Sequence, residues 1–553
     1  MQAQCVVHGA TLRGVEAIPV DVEVLVSSGL PAFIIVGMPD AAIQEARERV
    51  RAAIRACGFS MPPEKVVVNL APGAIKKTGS GFDLPIAVGI LLATRQIAPE
   101  EVQHALLVGE LSLEGQVRPI NGLLAFALCA REGGLDLVCA QPDEGLIGLS
   151  GIEQRTVQSL SSFRKGAFQP ARYQTQEASG TGLDFRDIAG HEVAKRALQV
   201  AAAGAHGVLM MGPPGSGKTM LASRLPSILP PLQEAEMLET ALIHSVAGMD
   251  TAPVLAGIRP FRSPHHSASF AGLVGGGSHP QPGEVSLAHN GVLFLDELAE
   301  FKPSTLQSIR QPMESGNIAI TRAEGNIVFP ARFLLVAASN PCPCGFYGDE
   351  ERPCSCKLSQ VMSYQNRIGG PLLDRIDIHI DIWRTDPQQV LRTGQGTSSQ
   401  ELREGVLRAQ DYRSFRERRF GDEGLSAHTA HTARTACAAN TAHSAHTART
   451  THSVDAAHTG KVSGGAGTGI ERRAGIGGMN SSTALLQACS LEQADEDFLI
   501  QMAGFYHMSG RGIMRTLSIA RTLADMDERP RVGRAHLCEA LTLRVREGSE
   551  APS

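Results

Sequence analysis

The chain has 553 residues, enough for about three to four domains, so it is not a single small module. Hydrophobic residues make up 43% and charged residues 19%, an ordinary globular balance rather than a disordered one. Lys+Arg is 51 and Asp+Glu is 56, a formal net charge of −5, which excludes a globally basic, histone-like binder but leaves room for a local basic channel.

Strand and helix signals alternate over residues 1–172. Val20, Val22, Val24 and Val26 occupy every second position, the period of a half-buried strand. Residues 41–57 read as a helix with Ile43, Ala46, Val50 and Ile54 on one face, and Lys65–Leu70 as another strand. The most apolar run, Leu84–Ala93, is much shorter than the roughly 20 residues of a membrane span. The first residues carry no basic-then-apolar leader. The expectation is a cytoplasmic protein without membrane contact. The stretch 173–182 is polar and Gly/Ser-rich and reads as a linker.

Residues 183–385 repeat strand, glycine turn and helix, the pattern of a nucleotide-binding α/β domain with a parallel sheet. His206–Met211 reads as a buried strand. Gly212, Pro213, Pro214, Gly215, Ser216, Gly217, Lys218 and Thr219 follow at once, and Met220–Arg224 opens a helix. This is a P-loop in its confirming context. The glycines let backbone N–H groups curl around phosphate oxygens, Lys218 reaches the β- and γ-phosphates, and the Thr219 hydroxyl ligates Mg²⁺. Gly291–Leu295 is an apolar strand ending in Asp296 and Glu297. Paired acids there need a positive partner: Asp296 would hold Mg²⁺ and Glu297 would polarise the attacking water. The alternative for such a pair is a helix cap. Phe333–Ser339 is a third buried strand, and Asn340 after it fits a hydrogen-bonding sensor between γ-phosphate and water, or else a turn residue before Pro341.

Four of the 11 cysteines, Cys342, Cys344, Cys354 and Cys356, form two C-x-C pairs. They could enclose a structural Zn²⁺, or stand as four reduced thiols in a loop. Residues 317–332 read as a β-hairpin, and residues 258–288 as an insertion containing His265 and His266. Residues 386–424 and 479–553 read as helical. Between them, 425–478 is rich in Ala, Thr, His and Gly, with six of the 18 histidines. It has almost no large apolar residues and reads as a disordered insertion, with weak metal binding as the other reading.

Six stretches together resemble the YifB/ComM family of magnesium-chelatase-like AAA+ ATPases over nearly the whole chain. They are Asp187–Gly190, Arg262–His266, Gly291–Glu300, Asn340–Gly345, Gly370–Asp377 and Ala520–Asp525. The resemblance implies an α/β architecture: a Lon-protease-like α+β domain (1–172), an AAA+ core (183–385) and a C-terminal helical lid. It implies a ring homo-oligomer, usually a hexamer, with Lys218, Glu297 and Asn340 catalytic and ATP and magnesium as cofactors. Arg375 matches the arginine finger, which completes a neighbour's site, unless it pairs within the chain with Asp374 or Asp377. Arg511 matches the lid's sensor arginine, with Arg515 one turn on. In related ring helicases such hairpins grip DNA backbone, which makes Arg322 the candidate DNA contact, or else a solvated charge.

In residues 1–172 the likeness to Lon proteases runs through Leu107–Leu123. Leu124 stands where the protease carries its lysine and Gly81 where it carries its serine, with Ser80 adjacent, so protease chemistry is expected to be lost. The family suggests a DNA branch-migration helicase that helps integrate DNA in natural transformation, with branched or single-stranded DNA as partner. A magnesium-chelatase motor subunit and a protein-remodelling chaperone are the alternatives.

Overall fold

The computed structural model describes residues 3–174, 182–277, 280–322, 325–385, 388, 396–438 and 482–544. The linker expected at 173–182 therefore falls mostly outside the described residues.

Residues 3–170 build an eight-stranded mixed sheet. Its order across the sheet is Gln169–Pro170, Gln154–Thr156, Asp136–Cys139, Ala105–Leu107, Ala3–Arg13, Glu16–Ser27, Lys65–Ala71 and Ala32–Val36. Ala3–Arg13 and Glu16–Ser27 are antiparallel, with Val7 opposite Val22. Val20, Val22, Val24 and Val26 all point into the core, as their alternation predicts. The expected helix runs Ala41–Ala56, and Asp40 caps it by accepting the Ile43 N–H at 2.9 Å. Ile43, Ala46, Val50 and Ile54 are its buried face. The helix Asp83–Ala93 is buried on nearly every side, the fate of a helix that is apolar all round after its first residue, and Arg49 pairs with the buried Asp83 at 2.6 Å. No described helix is long and apolar enough to cross a membrane.

The second sheet has five parallel strands in the order Phe261–Arg262, Gly291–Leu295, Phe333–Ser339, Val208–Met211 and Ile378–Asp381. Gly291–Leu295 and Val208–Met211 are buried throughout, which explains why they read as continuous apolar runs rather than alternating ones. Met211 lies opposite Ser339 and Leu295 opposite Ala337, so the three strands end within two residues of one another.

The two sheets belong to one compact unit, Met1–Arg403 with the segment from Thr542. The seam between them is specific. The Gly122 N–H donates to Ser245 O at 2.8 Å, and the Leu124 N–H to Ser245 Oγ at 3.4 Å. Leu124 from the helix Leu123–Glu132 joins Leu232, Ala241 and Val254 in one apolar cluster.

The other compact unit is Glu404–Leu541. Most of the helix Ser399–Ala438 lies in it, with the helices Ser482–Cys489, Gln493–Phe505, Gly510–Met526 and most of Arg534–Arg544. The long helix continues past the boundary expected at 424, because alanine, the best helix former, carries it on. The remainder of the expected insertion, 439–478, lies outside the described residues. Asp525, fully buried, accepts from Arg416 Nε at 3.0 Å and lies 3.0 Å from Arg521 Nη2. Two guanidiniums on one carboxylate satisfy a charge that would be costly alone.

Candidate nucleotide-binding site

The helix Lys218–Arg224 starts directly from the P-loop, with Gly217 at φ 87° and Gly215 at φ 78°. Residues with side chains are strained in that region, so glycine is needed for the turn. Gly212 is fixed by a different constraint: an added Cβ would lie 2.0 Å from Ile382 O. Lys218 is largely buried, and its Nζ donates to Gly212 O and Pro213 O, both at 2.8 Å. Burial lowers its pKa, while nearby Asp296 opposes the shift.

Thr219 Oγ1 donates to Asp296 Oδ2 at 2.7 Å, bringing a hydroxyl and a carboxylate from two motifs together. That pair of hard oxygen donors suits Mg²⁺, which takes few protein ligands and keeps water in its other positions. Asn340 Oδ1 lies 3.4 Å from Lys218 Nζ. The sheet thus brings Lys218, Thr219, Asp296 and Asn340 together just past the C-terminal ends of its three central strands, with Glu297 next in the chain. The Glu297 N–H donates to Asp296 Oδ1 at 2.9 Å, and Glu297 itself has φ 51°. Such a backbone is uncommon outside glycine and here turns the second acid away from the strand axis.

Two residues to which the sequence assigns no single role meet this site. His266 Nδ1 lies 3.1 Å from Glu297 Oε2, and its ring meets Phe301 edge-on. His191 Nε2 pairs with Thr385 Oγ1 at 2.7 Å and lies 3.6 Å from where a Cβ on Gly217 would stand. Burial lowers the His191 pKa, and Lys195 adds to the effect. The available signal was positional: His266 lies in Arg262–His266, next to the strand that flanks the one ending in Asp296.

Arg375 binds neither Asp374 nor Asp377. It pairs with Glu314 at 2.7 Å and donates to Pro371 O at 2.6 Å. Asp377 instead faces His206 at 3.2 Å. Arg511 is in the first turn of Gly510–Met526 and Arg515 one turn on, both in the second unit. The expected hairpin forms from Asn317–Arg322 and Gly325–Pro330, with Arg322 paired to Gly325 next to the tip. The Arg322 side chain is outside the described residues. In the N-terminal region Ser80 donates its hydroxyl to Glu110, and Lys77, three positions earlier, directs its ammonium to the Pro72 carbonyl.

The ligand atoms of Cys342, Cys344, Cys354 and Cys356 lie within 4.8 Å of one another, and the set could hold a metal ion. All four thiols are free of disulfides.

Three family models match the chain. One, described as magnesium chelatase, subunit ChlI, matches residues 184–390. The subunit ChlI model matches 22–142, and its C-terminal model matches 456–544. The protein YifB of Escherichia coli is 37% identical over 548 residues, 98% of this chain and 97% of its own. The competence protein ComM of Haemophilus influenzae is 36% identical over 552 residues, again 98% and 97%. The chain belongs to the YifB/ComM family of magnesium-chelatase-like proteins. A magnesium-chelatase 67 kDa subunit of Chlorobaculum parvum shares 31% identity over only 29% of this chain and 23% of its own. Membership in the YifB/ComM family therefore rests on the full length, while the likeness to this chelatase subunit covers only part of either chain.

Proposed function

We propose that this YifB/ComM-family chain is a cytoplasmic, ATP-hydrolysing ring motor that acts on DNA, migrating branches during integration of imported DNA. The observation that carries the hydrolytic part is the meeting of Lys218, Thr219, Asp296 and Asn340 past the C-terminal ends of the sheet's central strands. Lys218 exchanges its two loop carbonyls for β- and γ-phosphate oxygens. Thr219 and Asp296 would hold Mg²⁺, which when bound neutralises phosphate charge. Glu297 orients and polarises water, with Asn340 as its neutral hydrogen-bonding partner. Arg375 reaches a neighbouring subunit's phosphates once Glu314 releases it, and Arg511 senses nucleotide in its own subunit. A guanidinium suits both roles, since it is always protonated and forks onto oxygens.

DNA as the substrate is supported by the hairpin 317–330 and by the printed name of the Haemophilus relative, a competence protein. Arg322 beside the hairpin tip is the proposed phosphate contact. The 1–172 region serves as a platform rather than a protease, since Ser80 is bonded to Glu110 and Leu124 replaces the lysine. The four cysteines are read as a structural Zn²⁺ site.

The test is ATPase rate with and without branched DNA, beside a Lys218→Ala control, followed by strand exchange. Stimulation by DNA that the control abolishes supports the motor. ATPase indifferent to any DNA moves the assignment to a chelatase-type motor or a protein remodeller.

A further inference from the structure

The cysteine loop begins where the sensor strand ends. Asn340 and Pro341 separate Ser339 from Cys342, which is fully buried. The sulfurs of Cys342, Cys344 and Cys354 are 3.3, 3.5 and 3.7 Å apart. A disulfide would bring two of them to about 2.05 Å. A tetrahedral zinc with Zn–S bonds of about 2.3 Å sets sulfurs about 3.8 Å apart. The observed spacing belongs to the second arrangement. The Cys356 N–H approaches Cys354 Sγ at 3.4 Å, the kind of backbone donor that steadies a thiolate.

The same loop forms a wall behind the P-loop. Gly345 sits at φ 87°, and a Cβ there would lie 2.5 Å from Pro214 Cδ, so the turn after Cys344 rests directly on the P-loop proline. The turn is closed by the Gly345 N–H on Cys342 O at 3.0 Å. From the other side, Gln365 Nε2 donates to Pro341 O at 2.9 Å. The outer part of the loop is also tied down: the Phe346 ring has Arg352 at 4.1 Å and Arg384 at 5.5 Å.

We infer that Zn²⁺ bound by Cys342, Cys344, Cys354 and Cys356 clamps this loop against Pro214 and thereby sets how tightly the P-loop holds nucleotide. Four protein thiolates fill the tetrahedron and leave no position for substrate, so the metal braces the site and takes no part in hydrolysis. Without it, the four thiols have no common centre, the turn at Gly345 loses its anchor, and Pro214 and Asn340 lose their backing. The second half of this inference rests on the nucleotide reading of the P-loop. The first half does not.

The experiment uses the full chain purified with zinc under reducing conditions. Metal content is measured by elemental analysis, and nucleotide affinity with a fluorescent ATP analogue. The variants are Cys354→Ser, Cys356→Ser, the exposed-thiol control Cys538→Ser, and Lys218→Ala. The expected result is about one zinc per chain in the parent and the Cys538 control, little in the two cluster variants, and nucleotide affinity about 10- to 100-fold weaker in those two. Stripping the parent with a chelator and restoring zinc should lower and recover affinity in step, with circular dichroism confirming that the chain stays folded. A parent that holds no zinc overturns the metal site. Zinc lost without any change in affinity overturns the coupling. Lys218→Ala should keep its zinc while losing nucleotide, which separates this inference from the P-loop assignment.

Discussion

The His266 imidazole lies 3.1 Å from the Glu297 carboxylate. It comes from the start of the 258–288 insertion, so that insertion holds the residue proposed to polarise water. A partly exposed imidazole–carboxylate contact of this kind is worth about 0.2–1 kcal/mol, or up to roughly fivefold in a rate. His266→Ala should raise DNA-free ATPase by about that factor and shrink the stimulation by DNA. Steady-state rates with and without branched DNA decide it, and a lower DNA-free rate would assign His266 to positioning Glu297 for catalysis instead.

Lys218→Ala should lose nucleotide binding and hydrolysis together, because the loop's main counter-charge is gone. Glu297→Gln should bind nucleotide normally while kcat falls about 100-fold or more. Single-turnover kinetics with equilibrium binding separate the two effects. A Glu297→Gln protein that hydrolyses at the parent rate would remove that residue from the mechanism.

Arg375→Ala should also bind nucleotide without hydrolysing it. Mixing it with Lys218→Ala should restore part of the activity, since each subunit supplies what its neighbour lacks. Activity that stays at the sum of the separate proteins would mean Arg375 acts within its own chain, through the Glu314 pair.

Leu124→Ala should cost about 2–5 kcal/mol, as truncation of a buried leucine does. The loss falls on the seam with Leu232, Ala241 and Val254, so the urea midpoint should drop with it. Leu124→Lys should destabilise the seam further and produce no peptidase activity. Cleavage of casein by that variant would contradict the assignment of 1–172 as a platform.

His244 and His289 lie buried near the strand Gly291–Leu295, and burial is the leading reason both pKa values fall below 6.5. Around His289, Glu239 and Glu236 favour the proton while Arg332 opposes it. Around His244, Arg262 and His289 oppose it, and the Leu287 and Asp250 backbones favour it. The folded state therefore binds fewer protons than the unfolded state just below pH 6.5. Stability is fully present above that pH and falls as pH drops toward the folded pKa values, by up to about 1.4 kcal/mol per proton per pH unit. Urea midpoints at a series of pH values should fall below about 6.5, and His289→Gln should flatten the curve.

The parts proposed to bind phosphate stand out in the sequence because each is local. Gly212–Thr219 needs only a strand before it and a helix after it, and Asp296 and Glu297 need only an apolar run. Asn340 and the four cysteines are equally compact in sequence. What sequence could not supply was contact across the fold. His266 meets Glu297 because two neighbouring strands are parallel, and Arg375 found Glu314 rather than the acids beside it. Leu124 reads in the sequence as standing at a protease's lysine position, but its burial against Leu232 depends on how two sheets meet. The helix that extends to Ala438 shows a composition argument yielding to alanine's own preference.

Leu295 sits opposite Ala337 and Met211 opposite Ser339, so the motif residues form a ledge spanning two residues of the sheet. One residue added inside any of these strands would carry its motif residue about 3.3 Å along the sheet and turn it to the other face. Residues added between strands would leave the ledge where it is. The histidine-bearing insertion, the hairpin and the cysteine loop all hang from such connections. Among the described residues the hairpin makes none of the contacts with Glu297 or Pro214 that the other two make, so grafting a relative's hairpin onto this chain should exchange what the proposed motor grips without retuning ATP hydrolysis, whereas exchanging the insertion or the cysteine loop should retune it.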